Sequence, residues 1–582
     1  MRGFRTCQLL SPFLPALLFL SLSSPFPAAA QPGVPVIPPQ GSPIPQIRPS
    51  TPPRVGPGTE TPAAPGIPAA ALAGNVAIRR AVVEGATAFP AADLLARGNV
   101  PLTGAAVPVA NLETARAAIL GLYREQGYVF TTVDAVVDRD GTLRLVVGEG
   151  SITDVQLDGD IGPAGTQLLR FLNHLVGQRP LDVATLERWL LIAQDMPGIS
   201  LRTVLRPSGT APGALTLVAR VSRRAVGGYL TVDNRAFRLT GPEQALAVLQ
   251  LNSFTELAER TELSFFYGTH DTQLFGQAST EFYVGDSGLK VRLYAGRGRA
   301  RPSGVLRAID YEGTTTVAGI SASYPLLRRR THSLNLTAAF DAIDSEIEVD
   351  GGAGQVRLSH DALRVLRVGA EGAVYDLLLG DTRPASNTAV LRLSQGISAF
   401  GATARDNPNA GRAGSDPGFT AISFDLTRTQ TLFQPWEGAT LALQASLAGQ
   451  WSNDVLPLSE KFFLGGGRLG RGFYAGEVSG DRAIAASVEL QLGTSFERTI
   501  FGQSFTFAPM TYVFYDWGRT YESQSIDPDR HIASYGIGVR VPVNDFLEFQ
   551  VEGVRRVTRR PNGDQAPALH ADAIYWRVLT RF

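Results

Sequence analysis

The sequence predicts a mainly β protein: a 16-stranded transmembrane antiparallel β-barrel preceded by two small α+β domains. From residue 224 to Phe582 the chain consists of short segments in which apolar and polar residues alternate with a period of two, as in strands whose faces meet different surroundings. Helical spacing is confined to residues 75–223, in two consecutive units of similar length. A charged fraction of 18% and 61 glycines fit a β-rich chain that hides much of its surface from water.

Residues 1–30 have the pattern of a secretory signal peptide. A basic start, an apolar core and a small-residue cleavage site follow one another at Arg2 and Arg5, Leu14–Leu22 and Ala28–Ala30. An uncleaved anchor helix is the alternative, but Pro12 and Pro15 interrupt the apolar run, which is also too short to span a bilayer. The only cysteine, Cys7, lies here, so we expect no disulfide in the mature chain. No later stretch is long and apolar enough for a transmembrane helix, so any membrane crossing must use strands.

Residues 31–74 are rich in proline and predict an extended, semi-rigid linker that cannot bury a core. A proline-rich recognition motif is the alternative reading of the same composition. Lysine plus arginine and aspartate plus glutamate both total 53, so no net charge attracts a nucleic acid, and we expect no nucleic-acid partner.

Residues 75–150 read as strand, helix, helix, strand, strand. A first strand is predicted at Ile78–Val83. Further along the chain, one apolar helical face is predicted from the spacing of Leu112, Ala115, Ile119, Leu122 and Tyr123. A hairpin of Val129–Val137 and Leu143–Val147 follows, turning at Asp138–Gly141. That turn mimics the start of a calcium loop, with Glu149 in twelfth place, but its glycine comes fourth instead of sixth. An Asp-Gly turn is therefore the prediction.

Residues 151–223 repeat this order of elements. The predicted strands and helices are, in order, the strand Ile152–Leu157, the helices Leu168–Leu175 and Thr185–Asp195, and the strands Leu201–Leu205 and Leu215–Val221.

The remainder of the chain contains sixteen alternating segments. They begin near residues 225, 243, 260, 274, 288, 312, 331, 362, 387, 419, 437, 484, 504, 531, 545 and 571. If the first strand leaves from the α+β domains, connections after odd strands lie at the far end, where the two longest, 398–418 and 450–483, both fall, as an outer-membrane barrel requires. A soluble sandwich would instead carry charged residues on its outward faces.

The second of these connections is rich in glycine and contains the tripeptide Arg471-Gly472-Phe473. It runs into a strand with an apolar face of Ala486, Val488, Leu490 and Leu492 and a polar face of Ser487, Glu489 and Gln491. A loop of this length in a compact fold is usually functional or disordered. The last strand places Ile574, Trp576, Val578, Thr580 and Phe582 on one face.

The loop resembles the sixth outer loop of TpsB-type two-partner secretion transporters, which carries an Arg-Gly-Tyr or Arg-Gly-Phe tip inside the barrel. The α+β units resemble the periplasmic POTRA domains of that family, the second through GQRPLDVATLERWLLIAQDMPG. The terminal strand, with Trp576, Val578 and Phe582, resembles the signal read by the barrel-assembly machinery. Two generic α+β domains unrelated to secretion remain the alternative for residues 75–223. The family's plug helix has a counterpart only in the short Ala69–Leu72.

The resemblance implies a pore in the outer membrane that secretes an unfolded exoprotein of haemolysin or adhesin type. It implies that Arg471 is clamped by Asp516 of TYVFYDWG, with Glu489 as second choice, whereas a solvated loop arginine is the bland alternative. We expect the exoprotein to bind the first POTRA at an edge strand that includes Val129, Phe130 and Val133, beside Leu112, Ile119 and Tyr123. Outer-membrane lipid and the assembly machinery are the other expected partners.

Several short patterns resemble enzyme motifs, but we assign no catalytic or cofactor-binding role to them. Gly465–Gly470 satisfies GxGxxG without a surrounding βαβ unit, and Gly285–Gly288 (GDSG) lies in a tight turn between two strands. The six histidines show no metal-ligand spacing. We therefore expect no catalytic residue, metal, nucleotide or other cofactor, and no enzyme activity.

Two other functions are compatible with the same sequence. A barrel-assembly factor is related in fold but would normally carry more periplasmic modules, and a passive porin explains neither the paired domains nor the arginine loop. Deleting the gene and asking whether surface exoproteins or outer-membrane proteins disappear would distinguish them.

Overall fold

The computed structural model describes residues 55–56 and 74–582, except residues 160, 210, 353 and 565. The predicted signal peptide, almost all of the predicted linker and Ala69–Leu72 lie outside the described residues. Within the described part, none of the helices has both the length and the apolar character that crossing a bilayer demands.

The first α+β domain is a three-stranded sheet covered by two helices. Its elements are β1 (Asn75–Ile78), β2 (Arg80–Glu84), α1 (Ala91–Arg97), β3 (Gly104–Pro108), α2 (Val109–Glu125), β4 (Thr132–Val137) and β5 (Thr142–Gly148). The sheet order is β2-β5-β4, with β2 parallel and β4 antiparallel to β5, and β1 pairs with β3 in a separate ribbon. The predicted apolar face of α2 packs on Leu143 and Leu145 of the central strand, so this face forms the domain core.

Two boundaries in this domain differ from the prediction. The first strand is divided at Arg79, whose N–H donates to Gly141 O (2.8 Å) instead of a neighbouring strand. The strand predicted from Val129 begins only at Thr132, because the chain turns at Val129 and Phe130. Phe130 leaves the sheet to pack against the core of the second domain.

The second α+β domain has the same sheet arrangement. Its elements are β6 (Ser151–Asp158), α3 (Gly165–Asn173), α4 (Val183–Gln194), β7 (Ile199–Pro207) and β8 (Ala214–Arg223), in the sheet order β6-β8-β7. Asp182 caps α4 by accepting the Thr185 N–H at 2.8 Å, which satisfies one of the helix's unpaired amides.

In the described residues after Arg223, twenty strands, β9 to β28, follow, and sixteen of them form one closed antiparallel barrel. The wall strands are β9 (Val226–Asp233), β10 (Gln244–Asn252), β11 (Arg260–Gly268), β12 (Gln273–Tyr283), β13 (Lys290–Ala300), β14 (Glu312–Arg328), β15 (His332–Asp350), β16 (Gln355–Asp376), β17 (Ala385–Gly396), β18 (Thr420–Phe433), β19 (Ala439–Ser452), β22 (Arg482–Thr494), β25 (Met510–Tyr521), β26 (Arg530–Val543), β27 (Leu547–Arg556) and β28 (Asp572–Arg581). The predicted fold class, with sixteen strands after two α+β domains, is confirmed.

Four short strands lie outside the wall: β20 (Phe462–Leu464), β21 (Val478–Gly480), β23 (Phe496–Ile500) and β24 (Gln503–Phe507). The strand predicted to begin near 504 is therefore wrong in its start, because the wall strand β25 begins at Met510 and residues 503–507 belong to a hairpin beyond the end of the wall. Pro509 separates the two, since it has no N–H to donate to a ladder.

The barrel closes where β28 pairs with β9, from Arg577 opposite Asp233 to Arg581 opposite Tyr229. At the end of this seam Phe582 and Gly228 exchange two backbone hydrogen bonds of 3.1 Å. We call the end of the barrel at the α+β domains the inner end and the opposite one the outer end. Both long connections, 397–419 and 453–481, leave the wall at the outer end.

The second domain is fixed to the inner end of the wall. Asp195 accepts two hydrogen bonds from Arg328 of β14, Nε at 2.7 Å and Nη2 at 2.9 Å. Phe171 of α3 meets Tyr283 of β12 edge to face, with 5.1 Å between ring centroids. The domain therefore cannot swing freely beneath the barrel in this conformation.

Glu149 joins the two α+β domains. Its fully buried carboxylate accepts from the backbone N–H groups of Thr87 (2.7 Å) and Ala88 (2.9 Å) and from Tyr123 OH (2.7 Å), and Arg179 of the second domain lies 3.4 Å away. Burial raises the pKa of Glu149, but these hydrogen bonds outweigh burial and hold the pKa below its ordinary value of 4.5.

We therefore expect the junction to weaken in acid. Because the folded pKa lies below the unfolded one, the carboxylate's contribution to stability is present above about pH 4.5 and is lost as the pH falls through the folded pKa. Glu149→Gln should remove about 1–3 kcal/mol at neutral pH and make the junction insensitive to acid. Hydrogen exchange at Thr87 and Ala88, corrected for the intrinsic pH dependence, measures this. Glu125→Gln, at an exposed carboxylate of the same domain, should behave like wild type, and acid-sensitive exchange that persists in Glu149→Gln would contradict the assignment.

Candidate functional site

The connection between β19 and β22, residues 453–481, folds back into the barrel. Its β20 and β21 pair as a short hairpin, and the loop packs Leu464, Leu469 and Phe473 against Ile532 of the wall. Gly465 has a φ of +106°, and a Cβ there would lie 2.0 Å from Tyr474 O. Only glycine permits this return of the chain, which brings the loop tip to the wall.

Arg471 at the tip is bound by buried groups of two wall strands. Its Nε and Nη2 donate to the two carboxylate oxygens of Asp516 at 3.0 and 2.8 Å, and its backbone N–H donates to the same carboxylate at 2.8 Å. Nη1 donates to Glu489, and Nη2 also donates to Ser487 Oγ at 2.9 Å. The guanidinium carbon lies 3.7 Å from the ring centroid of Phe514. Arg471 thus has a bidentate partner, a second carboxylate and an aromatic face.

The next two residues of the tip are also held. The Gly472 N–H donates to Ser534 Oγ at 3.1 Å, and Gly472 O accepts from Arg556 Nε (2.5 Å) and Tyr575 OH (3.2 Å). A Cβ on Gly472 would come within 2.4 Å of the Ser534 Cβ, so a side chain there would force the tip off the wall. Phe473 is fully buried.

The two carboxylates that bind Arg471 are both buried. Asp516 is 0% and Glu489 5% exposed, so both carboxylates have lost most of their water. A buried charge pair is stable only when geometry and hydrogen bonding are good, and removal of one partner leaves an uncompensated charge. Here removal of the one arginine would leave two carboxylates facing each other.

A neighbouring cluster ties the first outer connection to the same loop. Arg235, just after β9, donates to Glu552 of β27, which also accepts from Tyr512 OH (2.6 Å) and Gln550 Nε2 (2.9 Å). The Arg235 carbonyl accepts the Ala475 N–H at 3.2 Å, four residues beyond Arg471. The tip is thus supported from the segment that follows the first wall strand.

A third cluster joins connections at the outer end. Arg412, from connection 397–419, donates to both oxygens of Asp481 (2.6 and 3.1 Å), to Glu522 (2.9 Å) and to Asp527 (3.2 Å). Lys461 Nζ donates to the other Glu522 oxygen at 2.7 Å. Three outer connections, 397–419, 453–481 and 522–529, are therefore joined by one arginine.

Two further contacts fix the start and the middle of the loop. Arg367 of β16 donates to Glu460 (2.9 and 2.7 Å) and to Asp341 of β15 (2.7 Å). Arg468 pairs with Asp425 of β18, but its side chain is 60% exposed. The loop is therefore held along its length, most firmly at Arg471.

The structure brings together all five residues predicted for the loop-to-barrel contact, Arg471, Gly472, Phe473, Asp516 and Glu489. Sequence reasoning missed Arg235, Arg367 and Arg412 because their partners are 317, 93 and 69 residues away and share no local motif. A weak signal existed for Arg412, which follows a glycine in a long outer connection, as Arg471 does.

The residues predicted to bind a partner need correction. Leu112, Ile119, Tyr123 and Val133 are 7%, 0%, 0% and 2% exposed, so they form the core of the first domain and cannot face a partner. Val129 and Phe130 lie in a turn outside the strand, as described above. The reason is that helical spacing identifies residues on one face but does not say whether that face is core or surface.

The last strand keeps its predicted pattern. Trp576 is 36% and Phe582 60% exposed, and Val578 lies on the same outward face. No group of three or more His, Cys, Asp or Glu residues in the described part of the chain is placed to hold a metal ion.

Known proteins share both parts of this architecture. The family model for the haemolysin secretion/activation protein ShlB/FhaC/HecB matches residues 215–541, more than half of the 582 residues, and the ShlB-type POTRA domain model matches residues 76–150. The heme/hemopexin transporter protein HuxB of Haemophilus influenzae (strain 86-028NP) is 20% identical over 456 residues, 75% of each chain.

Solved structures agree on the fold. CdiB from Escherichia coli has a TM-score of 0.69 at 18% identity, covering 90% of this chain and 94% of that one. CdiB from Acinetobacter baumannii has a TM-score of 0.58 at 15% identity, covering 92% and 95%. The chain therefore belongs to the haemolysin secretion/activation protein family, as an outer-membrane β-barrel transporter that secretes a partner exoprotein.

Proposed function

We propose that Arg471 holds the 453–481 loop inside the pore at rest, that the Arg412 cluster forms an outer closure, and that an extended exoprotein crosses when the loop and this closure move. The observation that carries the proposal is the buried guanidinium between Asp516 and Glu489. Side chains of β22, β25, β26, β27 and β28 all bond to residues 471–472, so the tip occupies one defined place in the lumen. A polypeptide needs that space to pass.

The exoprotein is captured first by the α+β domains, which are periplasmic in relatives. We assign the capture to the free edge of β4, which among the described residues has β5 as its one strand neighbour. An extended chain can add to such an edge through backbone hydrogen bonds. Thr132, Asp134 and Val136 present exposed side chains there in place of the buried ones first predicted.

The backbone register defines which groups face the edge. Asp138 N–H donates to Thr142 O (2.9 Å), so in the β4–β5 ladder every second residue back from Asp138 bonds to β5. The N–H and C=O of Val133 and Ala135 therefore point away from β5. Arg116 of α2 lies beside them, with Nη1 3.5 Å from Val133 O. This leaves Ala135 as the central open position of the edge.

The remaining assignments complete the proposal. We place the signal peptide at 1–30, the linker at 31–74, the two POTRA domains at 75–150 and 151–223, and the barrel at 224–582 with its inward loop at 450–483. The strand with Trp576, Val578 and Phe582 recruits the barrel-assembly machinery, and the outward face is bathed in outer-membrane lipid. Transport uses no enzyme activity, nucleotide or other cofactor, and is driven by folding of a haemolysin- or adhesin-type exoprotein outside.

Arg471→Ala tests the proposal directly. Breaking the buried pair costs roughly 3–5 kcal/mol, less where water enters the lumen, and releases the loop tip. We expect the variant to reach the outer membrane in normal amount and with normal heat-modifiable mobility, but to lose secretion, because a tip without its buried partners has no fixed place and obstructs the lumen through which the exoprotein passes. The measurement is an immunoblot of exoprotein in the medium and on the cell surface.

Two matched variants serve as comparisons for Arg471→Ala. Arg471→Lys keeps the charge but not the planar fork, so intermediate secretion is expected. Arg468→Ala removes a 60% exposed arginine from the same loop and should secrete almost normally. Full export by Arg471→Ala would refute the role of the loop.

Arg412→Ala tests the outer closure. It leaves Asp481, Glu522 and Asp527 with Lys461 alone, and the repulsion between carboxylates should separate the three outer connections. We expect more frequent and longer openings in planar-bilayer recordings. Arg405→Ala, in the same connection but at a 73% exposed side chain, should conduct like wild type. Conductance of Arg412→Ala that equals wild type would rule out this closure.

Ala135→Pro tests the edge. It removes one N–H from the free edge without removing a β4–β5 hydrogen bond, so the sheet should survive. We expect binding of the exoprotein's amino-terminal segment, measured by calorimetry, to fall by roughly fivefold or more, the value of about one hydrogen bond. Ala135→Val keeps the N–H and should bind normally. Unchanged binding by Ala135→Pro would move the capture site elsewhere.

A further inference from the structure

Two arginines lie on the outward face of the wall near its outer end. In β13, Leu293 is 44% exposed and faces outward, so Arg297 and Arg299 share its face by the alternation of the strand. The strand is the fifth of the wall and runs from the inner to the outer end. Both arginines therefore lie among its last four residues, near the outer end. On this face they follow the apolar Val291, Leu293 and Ala295 toward the outer end, and we place them at the level of the outer-leaflet headgroups.

Neither arginine has a partner in the described part of the chain. No hydrogen bond or ion pair reaches either guanidinium, and the Arg299 Nε is buried without a hydrogen-bond partner. On the neighbouring strands β12 and β14, Arg297 is opposite Gly276 and Thr316, and Arg299 is opposite Leu274 and Thr314. None of these four neighbours carries a charge.

Three of the four acidic residues nearby already form ion pairs with other arginines. Along the outer ends of β14, β15 and β16 the pairs are Glu312 with Arg301 (2.5 Å), Asp344 with Arg364 (2.9 Å) and Glu346 with Arg357, while Glu348 stands across the ladder from Arg357. Five arginines and four carboxylates thus lie at this end, which leaves a net positive charge, and among the described residues Arg297 and Arg299 have no ion pair of their own.

The inner end of the wall provides a contrast. Arg428 of β18 shares the outward face of Leu426, which is 43% exposed, but donates to Asp376 (2.7 Å) and to Asn387 Oδ1 (2.7 Å). This outward arginine near the inner end is thus neutralised by the protein itself, and the pair near the outer end is not.

We propose that Arg297 and Arg299 bind a phosphate of the phosphorylated glycolipid that forms the outer leaflet of Gram-negative outer membranes. A charged side chain on the lipid face is unfavourable unless its end reaches the headgroups and finds an anion there. The guanidinium fork matches a phosphate, and the hydroxyls of Thr314 and Thr316 are additional donors on the same face. The site lies outside the pore and does not depend on the mechanism of secretion.

Native mass spectrometry of the full-length, detergent-purified protein tests the site. The probes are bisphosphorylated lipid A, the same lipid A without phosphates, and phosphatidylglycerol. We expect retained adducts with bisphosphorylated lipid A only, weakened by about tenfold for each arginine replaced in Arg297→Gln and Arg299→Gln. Arg202→Gln/Arg206→Gln, which removes two exposed arginines from β7 of the second domain, should bind lipid A like wild type.

Each other outcome overturns the assignment. Equal lipid A adducts in wild type and in Arg297→Gln/Arg299→Gln place the lipid elsewhere. Equal retention of phosphatidylglycerol makes the patch a general anion site instead of a glycolipid site, and retention of dephosphorylated lipid A means that acyl chains, not phosphate, carry the binding. Secretion by the double variant reports separately on the pore.

Discussion

The buried contact of Arg471 with Asp516 and Glu489 determines how the interior of this barrel is organised. A guanidinium with this little water around it must keep its carboxylates, and the carboxylates must keep it. Because Arg471 lies at the tip of a long connection, this local requirement positions the whole 453–481 segment. The glycines at 465, 470 and 472 let the tip approach backbone and side chains more closely than other residues could.

The wall supplies the partners through its alternation. In β22 the outward Val488 and Leu490 alternate with the inward Ser487 and Glu489, so one strand serves both the membrane and the lumen. Arg235 and Arg412 extend the same principle to the first outer connection and the outer mouth. Buried ion pairs thus hold the outer connections at two levels, at the loop tip inside the barrel and at the joined connections above it.

The sequence allowed prediction of those features that leave a local pattern or a recognisable motif. Period-two alternation located the wall strands, and the resemblance of the Arg-Gly-Phe loop and of TYVFYDWG to the family's motifs pointed to Arg471 and Asp516. It could not find Arg412, because an ion pair between distant connections leaves no periodic or short-range signal. It also could not tell that Tyr123 and Ile119 are core residues, since spacing gives a face and not its surroundings. The error at residue 504 has a local cause, because the alternation continues into a hairpin that Pro509 separates from the wall.

A double-mutant cycle on Arg471 and Asp516 tests the central contact most directly. The quantity is the free energy of unfolding in lipid vesicles for wild type, Arg471→Ala, Asp516→Ala and the double variant. A contact that holds the loop predicts a coupling energy of about 1–3 kcal/mol, with the double variant less destabilised than the sum of the singles. Additive effects, with no coupling beyond about 0.5 kcal/mol, would show that the two side chains act independently and would contradict the account.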